Sequence, residues 1–502
     1  RRLVEEGTQV IAQTHKNGGF AVVLAGRPYH TDPLINHDLS RMFTRRGIPV
    51  LTVDSLPGLE DANLRKSRVE ITNDFHARML SGAMVTAERP CLEYVQIVSF
   101  GCGHDAILSD EIMRLLGEDS GKPPLILKVD ESEAAGSLGI RVQSFIETVQ
   151  LRRSAQADGA VQPGQLPEPY PVKYRREDRK LRTVLVPNIS APVSTLLTAL
   201  MDREGIRAVS LPVGGVEQIR VGKKYTHNDI CFPAQIVIGE ALAALRSGKY
   251  DPDKVAVGTG KYIGDCRLTH YEALLRKALD DAGYPQVPII TNDDVDFHDV
   301  HPGFKMNVRS ALKVAFTLPM IDALEELLRK MRPYETEPGC ADRAFDEALD
   351  LLMEGLHGKS LRSLKHGFAQ AIDVMKKVPY DRTHRKPQVL IVGEYLLNFH
   401  PGANHDVELY LERNGLEVIE ARMTDVIRKT YFYQHAQEKE YRVTRPLKEK
   451  AWHAIADNVF DVAHNVCDSI ACAHPLYEPP CRMPDLVRAS DPIIHHTFDA
   501  GE

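Results

Sequence analysis

Short, wholly apolar runs recur along this chain. Each is followed by a turn rich in glycine, proline or cysteine, and then by a stretch with helical spacing. Phe20-Ala21-Val22-Val23-Leu24-Ala25 is the first run, and it ends at Gly26-Arg27-Pro28-Tyr29-His30. A run apolar at every position is what a strand covered on both faces requires. A helix is predicted over 1–18, another over 34–45, and strands over 49–53, 94–98 and 124–129. The run at 94–98 leads into Ser99-Phe100-Gly101-Cys102-Gly103-His104-Asp105. The following stretch, 106–116, carries Ile107, Ile112, Leu115 and Leu116 on one helical face. This alternation predicts a mostly parallel sheet with helices on both sides, whose ligands collect at the carboxyl ends of the strands. The Arg27 turn and the Cys102 turn both lie at such ends.

A segment rich in Pro, Gly and charge over 154–180 reads as a linker. Beyond it the same style of pattern returns, with strands predicted over 183–187, 208–211, 254–257 and 287–291. Helices are predicted over 193–203, 234–246 and 270–282. The pattern is helical from about 304 to 375. A third unit opens with Pro387-Gln388-Val389-Leu390-Ile391-Val392-Gly393-Glu394, with a helix over 404–413 and a strand over 417–419. The chain is therefore expected to be α/β: several flavodoxin-like, doubly wound parallel-sheet units joined by helical segments. The expected divisions are a first domain over 1–155 with Cys102, a second over 180–303 with Cys231 and Cys266, a helical connector over 304–382, and a third, truncated α/β domain over 383–502.

Composition narrows the function classes. The 502 residues are 43% hydrophobic and 26% charged, with a net charge of −7, which leaves no basic footprint for nucleic acid. No apolar run approaches the ~20 residues of a membrane span. Eight cysteines are too sparse for a disulfide scaffold, so a reducing, cytoplasmic setting is expected. The chain opens Arg1-Arg2 without Met, as a piece of a longer protein would.

Cys102, Cys231 and Cys266 share one setting. Each sits beside a glycine- or proline-rich turn at the start of a predicted helix, where backbone N–H groups and the helix dipole favour a thiolate. Three unrelated buried thiols and a zinc site are the competing readings, although structural zinc wants four ligands, usually in short pairs. Three thiolates suit an iron–sulfur cluster that keeps one iron for another ligand. His104, His227, Asp229 and Arg267 flank these cysteines and are candidates to tune such a group. Arg27 and His30 are candidates to hold a substrate anion. Cys467, Cys472 and Cys481 form a looser set with His464 and His474 interleaved. Of these only Cys481 has a comparable turn, and it is the weak candidate, while Cys91 and Cys340 read as incidental. No phosphate loop of the G-x-x-x-x-G-K-[ST] type is present, so ATP hydrolysis by this chain is not expected.

Longer stretches carry a resemblance. The run from Val22 to His37, with Val98-Ser99-Phe100-Gly101-Cys102-Gly103, Asn228-Asp229-Ile230-Cys231-Phe232-Pro233-Ala234, Cys266-Arg267, Val392-Gly393-Glu394, His400-Pro401-Gly402-Ala403-Asn404 and Glu478-Pro479-Pro480-Cys481-Arg482, resembles the activase-related, 2-hydroxyacyl-CoA dehydratase-like proteins. The resemblance implies a 4Fe–4S or double-cubane cluster on Cys102, Cys231 and Cys266, and anaerobic reductase or dehydratase chemistry on a small substrate such as an acyl-CoA. It implies electrons from a cluster-containing, ATP-hydrolysing activator of the actin-like type, fused upstream in long members, so that ATP enters only through that partner or domain. A homodimer is expected by the same analogy. The alternatives are a cluster scaffold or electron relay without a substrate site, and a metal-free acyl-CoA-binding protein. Where the family commonly has a glycine triplet before the third cysteine, this chain has Ile263-Gly264-Asp265, and an ionised Asp265 would lower a neighbouring cluster's potential.

Overall fold

The computed structural model describes residues 1–99, 101–129, 135–157, 167–261, 266–292, 298–305, 307–358, 360–441 and 444–494. Ten strands are found among them: β1 (Ala21–Ala25), β2 (Val50–Thr52), β3 (Leu92–Ser99), β4 (Leu125–Val129), β5 (Thr183–Val186), β6 (Ala208–Ser210), β7 (Val255–Gly258), β8 (Ile289–Ile290), β9 (Gln388–Leu390) and β10 (Glu417–Ile419). The first sheet runs β2-β1-β3-β4 and the second β6-β5-β7-β8, every pair parallel. The two sheets thus have the same order, and the α/β expectation holds.

In that order the chain leaves β1 to one side and returns to β3 on the other. The carboxyl ends of β1 and β3 therefore flank the crevice where open α/β sheets bind ligands. This topology, rather than sequence proximity, sets the Arg27 turn against the Cys102 turn. The apolar runs are buried as a two-sided sheet demands. Val23, Tyr94 and Leu108 face one apolar layer, and Val22, Val95, Ile97 and Val142 face the other.

The segment expected to be a linker is partly structured. Residues 154–157 finish the helix Ala135–Ala157, and Tyr170 and Tyr174 are buried. Backbone bonds from Tyr174 N to Val300 O and from Gly303 N to Tyr174 O fix the latter on the second unit. Beyond 304, helices Val308–Met331, Cys340–His357 and Leu361–Met375 share one apolar core with residues of the helix Leu447–Ala471. The third α/β unit has only the two-stranded parallel sheet β10-β9 among the described residues.

The His400-Pro401-Gly402 motif is a lock between units. His400 and Glu240 are both fully buried, with Nε2 to Oε1 at 2.9 Å, and Glu240 also accepts from Asn188 N and Gly214 N, each at 2.6 Å. A Cβ on Gly402 would lie 1.6 Å from the Gly214 carbonyl oxygen, so no side chain fits there. His400→Ala is expected to lower unfolding stability by about 2–4 kcal/mol, because it removes one partner of a buried carboxylate and leaves a cavity beside it. An unchanged urea midpoint would contradict that.

Candidate functional site

The three sulfurs come to the same structural position in their elements. Cys102 is the N-cap of the helix Gly103–Ser120, Cys231 that of Phe232–Arg246, and Cys266 that of the 3-10 turn Arg267–His270, which runs into Tyr271–Asp281. All three cysteines are half-buried. Gly101 takes φ +69°, the left-handed conformation that lets the chain turn sharply from β3 into the helix.

Around Cys102 the polar contacts form a closed chain. Arg27 Nη2 donates to Cys102 Sγ at 2.8 Å, and Arg27 Nε and Nη2 reach Asp105 Oδ1 at 3.3 and 3.4 Å. Asp105 is buried, and its other oxygen accepts from Ser99 N at 2.9 Å. His30 Nδ1 accepts from Arg27 N at 3.1 Å, and its Nε2 lies 3.3 Å from Ser99 Oγ. Burial alone would lower the Arg27 pKa, but the charges of Asp105 and Cys102 outweigh it and the pKa rises. Burial and the Arg27 charge push His30 down. Arg27 is thus a fixed cation held on a sulfur by a buried carboxylate.

Cys231 lies in a second polar cluster. Its Sγ is 3.1 Å from the Tyr271 hydroxyl. Burial raises the thiol pKa, against which the Tyr271 hydrogen bond, the Ala234 N–H and the Arg267 charge favour the thiolate. Tyr395 is half-buried and lies close enough to Cys266 and Cys231 for both to act on it electrostatically, after burial and Glu394. Glu394 caps the helix Tyr395–Phe399 by accepting from Leu396 N and Leu397 N. The third unit therefore contributes a wall to the site, and Tyr271, Tyr395 and Glu394 are residues that sequence reasoning missed. The Val392-Gly393-Glu394 match was the available signal for two of them.

Arg267 ties the clusters together. It is placed to act on Cys231, and a Cβ on Gly103 would meet its Nε at 2.3 Å, so its guanidinium lies against the backbone beside Cys102. That buried Nε has no hydrogen-bond partner. Of the other candidates, Asp229 pairs with Lys128 on β4, and its N–H donates to His227 Nδ1 at 3.1 Å, which fastens the Cys231 loop to the first unit. Asp265 falls outside the described residues. Cys481 is exposed, and the adjacent Arg482 is bound to Asp468 and Asn465 on the helix Leu447–Ala471. Cys467 is buried with Sγ donating to Pro319 O, and Cys472 is exposed at the end of that helix.

Next to Cys102 and Cys266 lies a group the sequence reading did not assemble: His76, His104 and His270, with one ring nitrogen from each within 4.8 Å of the others. Burial first, then the neighbouring His104 and Arg27, bring His76 down to about 3. Burial and the two partner rings push His270 well below its ordinary value. Below pH 6.5 the unfolded chain takes up a proton at His76 that the folded chain refuses, so stability falls as pH drops toward 3. From pH 7 to pH 5 the expected loss from this residue is about 2 kcal/mol. Urea midpoints at the two pH values measure it, and His76→Gln should flatten the difference.

Comparison with known proteins matches residues 1–56 to a family described as CoA enzyme activase uncharacterised domain. Over that stretch the match agrees with the activase-related resemblance of the opening motif. The matched stretch includes β1, β2 and the Arg27 turn. No curated protein and no solved structure gives a significant match. Among the described residues no helix is long and apolar enough to cross a membrane.

Proposed function

We propose that Cys102, Cys231 and Cys266 ligate a 4Fe–4S or double-cubane cluster. On this reading the chain is the cluster-bearing component of an ATP-dependent low-potential reductase or 2-hydroxyacyl-CoA dehydratase-like system. Its electron donor is an ATP-hydrolysing activator, and its acceptor is a small substrate of the acyl-CoA thioester class. One observation carries the reading: three N-capping thiols from two sheet units are accompanied by a buried Arg267 Nε–H that has no acceptor. A buried donor in that state calls for an anionic group, and thiolates bound to an inorganic core are one.

When bound, such a cluster supplies low-potential one-electron chemistry. The chain's own residues do the rest. Arg27 donates to the Cys102 sulfur and is itself held by Asp105, so it stabilises the thiolate without moving. All three cysteines stand at N-cap positions, and the Ala234 N–H favours the Cys231 thiolate. Tyr271, buried, and Tyr395, half-buried, cover the Cys231 side.

Anaerobic reconstitution with iron and sulfide, followed by iron and sulfide analysis and electron paramagnetic resonance of the reduced sample, tests this. A brown protein with stoichiometric iron and sulfide is expected. Colourless, iron-free protein ends the reading. Asp265→Asn is further expected to raise the midpoint potential in a redox titration, and an unmoved potential would remove that residue from the account.

A further inference from the structure

We propose that His76, His104 and His270 form a separate mononuclear site for a divalent transition metal of the zinc class. The three rings come from three elements: the first turn of the helix Asp74–Glu88, the first turn of Gly103–Ser120, and the end of the turn Arg267–His270. Their centroids are 5.5, 5.9 and 6.1 Å apart, with planes inclined at 41°, 89° and 57°, so they do not stack in parallel. One nitrogen from each lies within 4.8 Å of the other two. Tetrahedral zinc at ~2.0–2.1 Å from nitrogen spaces its ligands about 3.4 Å apart, so a small closure of the rings completes the geometry.

A merely structural trio would satisfy its nitrogens with hydrogen bonds. His270 is 1% exposed, yet its Nδ1 has no hydrogen-bond partner. At His76, Nδ1 lies 3.4 Å from Thr72 Oγ1 and Nε2 3.4 Å from Asn73 Nδ2, so one of these long contacts holds the ring while the other gives way to the metal, and the backbone N–H of His76 is capped by Asn73 Oδ1 at 3.0 Å. The nearby Lys261 ammonium is matched by Glu70 and Glu272 at 3.1 and 3.0 Å, which offsets its repulsion of a cation. His104 is half-buried and gives the site its open side, leaving remaining coordination positions to water or a small anion. Because His76 and His104 belong to the first sheet unit and His270 to the second, the bound ion would clamp the two units. Imidazole donors of this kind suit zinc, cobalt, nickel and ferrous iron, whereas the cysteine site takes a different set.

The site stands independently of the cysteine reading, and so does its test. The full chain with Cys102, Cys231 and Cys266 all changed to Ser is dialysed against zinc alone and analysed for metal. One zinc per chain is expected, with a raised thermal midpoint. His76→Gln or His104→Gln in that background is expected to weaken zinc binding about 100-fold or more. Urea midpoints of the metal-free variants establish that they fold, and cobalt in place of zinc in the triple-serine chain should give d–d bands without thiolate charge transfer. Absence of stoichiometric zinc in the triple-serine chain, or an affinity untouched by both histidine variants, overturns the site whatever the iron analysis shows.

Discussion

Serine in place of any one of Cys102, Cys231 or Cys266 is expected to bring the iron retained after anaerobic reconstitution down to background, while Cys472→Ser and Cys481→Ser leave it unchanged. The contrast follows from placement. The first three thiols cap helices at the inner ends of two sheet units, with Arg27 on one sulfur and Tyr271 on another. Cys472 and Cys481 are exposed on the helical region. Serine keeps the N-cap hydrogen-bonding capacity, and indeed caps helices well, so the folds of the single variants are expected to survive. Loss of iron with an unchanged urea midpoint therefore reports ligation rather than unfolding. Arg27→Gln gives the finer reading: removing a fixed positive charge 2.8 Å from a ligand sulfur lowers the midpoint potential if iron is retained. Equal iron content in all five serine variants would end the cysteine assignment, including for the weak candidate Cys481.

The sheet units were legible because two-sided burial writes a simple signal. Val22, Val23, Leu185 and Val257 sit in runs with no polar interruption, and only a covered parallel strand needs that. The capping position of the three cysteines followed from the glycine and proline beside them. Contacts between units were not legible. Nothing in the local pattern around His76 or His270 distinguishes an imidazole aimed at two others from one packed in a core, and the three are 28 and 166 residues apart in sequence (76 to 104, and 104 to 270). The same holds for Tyr395, which comes near Cys231 because the third unit is locked to the second through His400 and Glu240, and for Tyr271, which reaches that sulfur from a different helix of the second unit. The long helix Leu447–Ala471 was missed for a different reason: its apolar face packs on Val308–Met331, a partner that no short window contains.

Gly239→Ala is expected to be among the most damaging single-methyl changes available in this chain, at about 3 kcal/mol or more of unfolding stability. Helix Val216–Tyr225 crosses Phe232–Arg246 with backbone against backbone. A Cβ on Gly239 would fall 1.8 Å from the Gln218 carbonyl oxygen, and one on Gly222 would fall 1.7 Å from that of Gln235. Neither obstacle is a side chain that can swing away, so the helices must part, and interior packing gives no room for that. Alanine's better helix propensity returns only about 1 kcal/mol, too little to change the sign. Gly117→Ala is the control, since that helical glycine is exposed and its added Cβ meets nothing within 4 Å; it should gain a few tenths to 1 kcal/mol. Because Cys231 caps the very helix that Gly239 seats, parting the pair also displaces that sulfur from Tyr271. Gly239→Ala should therefore lose iron in step with stability, whereas Gly117→Ala should lose neither. A Gly239→Ala chain with the wild-type urea midpoint would show that the two helices do not meet at these glycines.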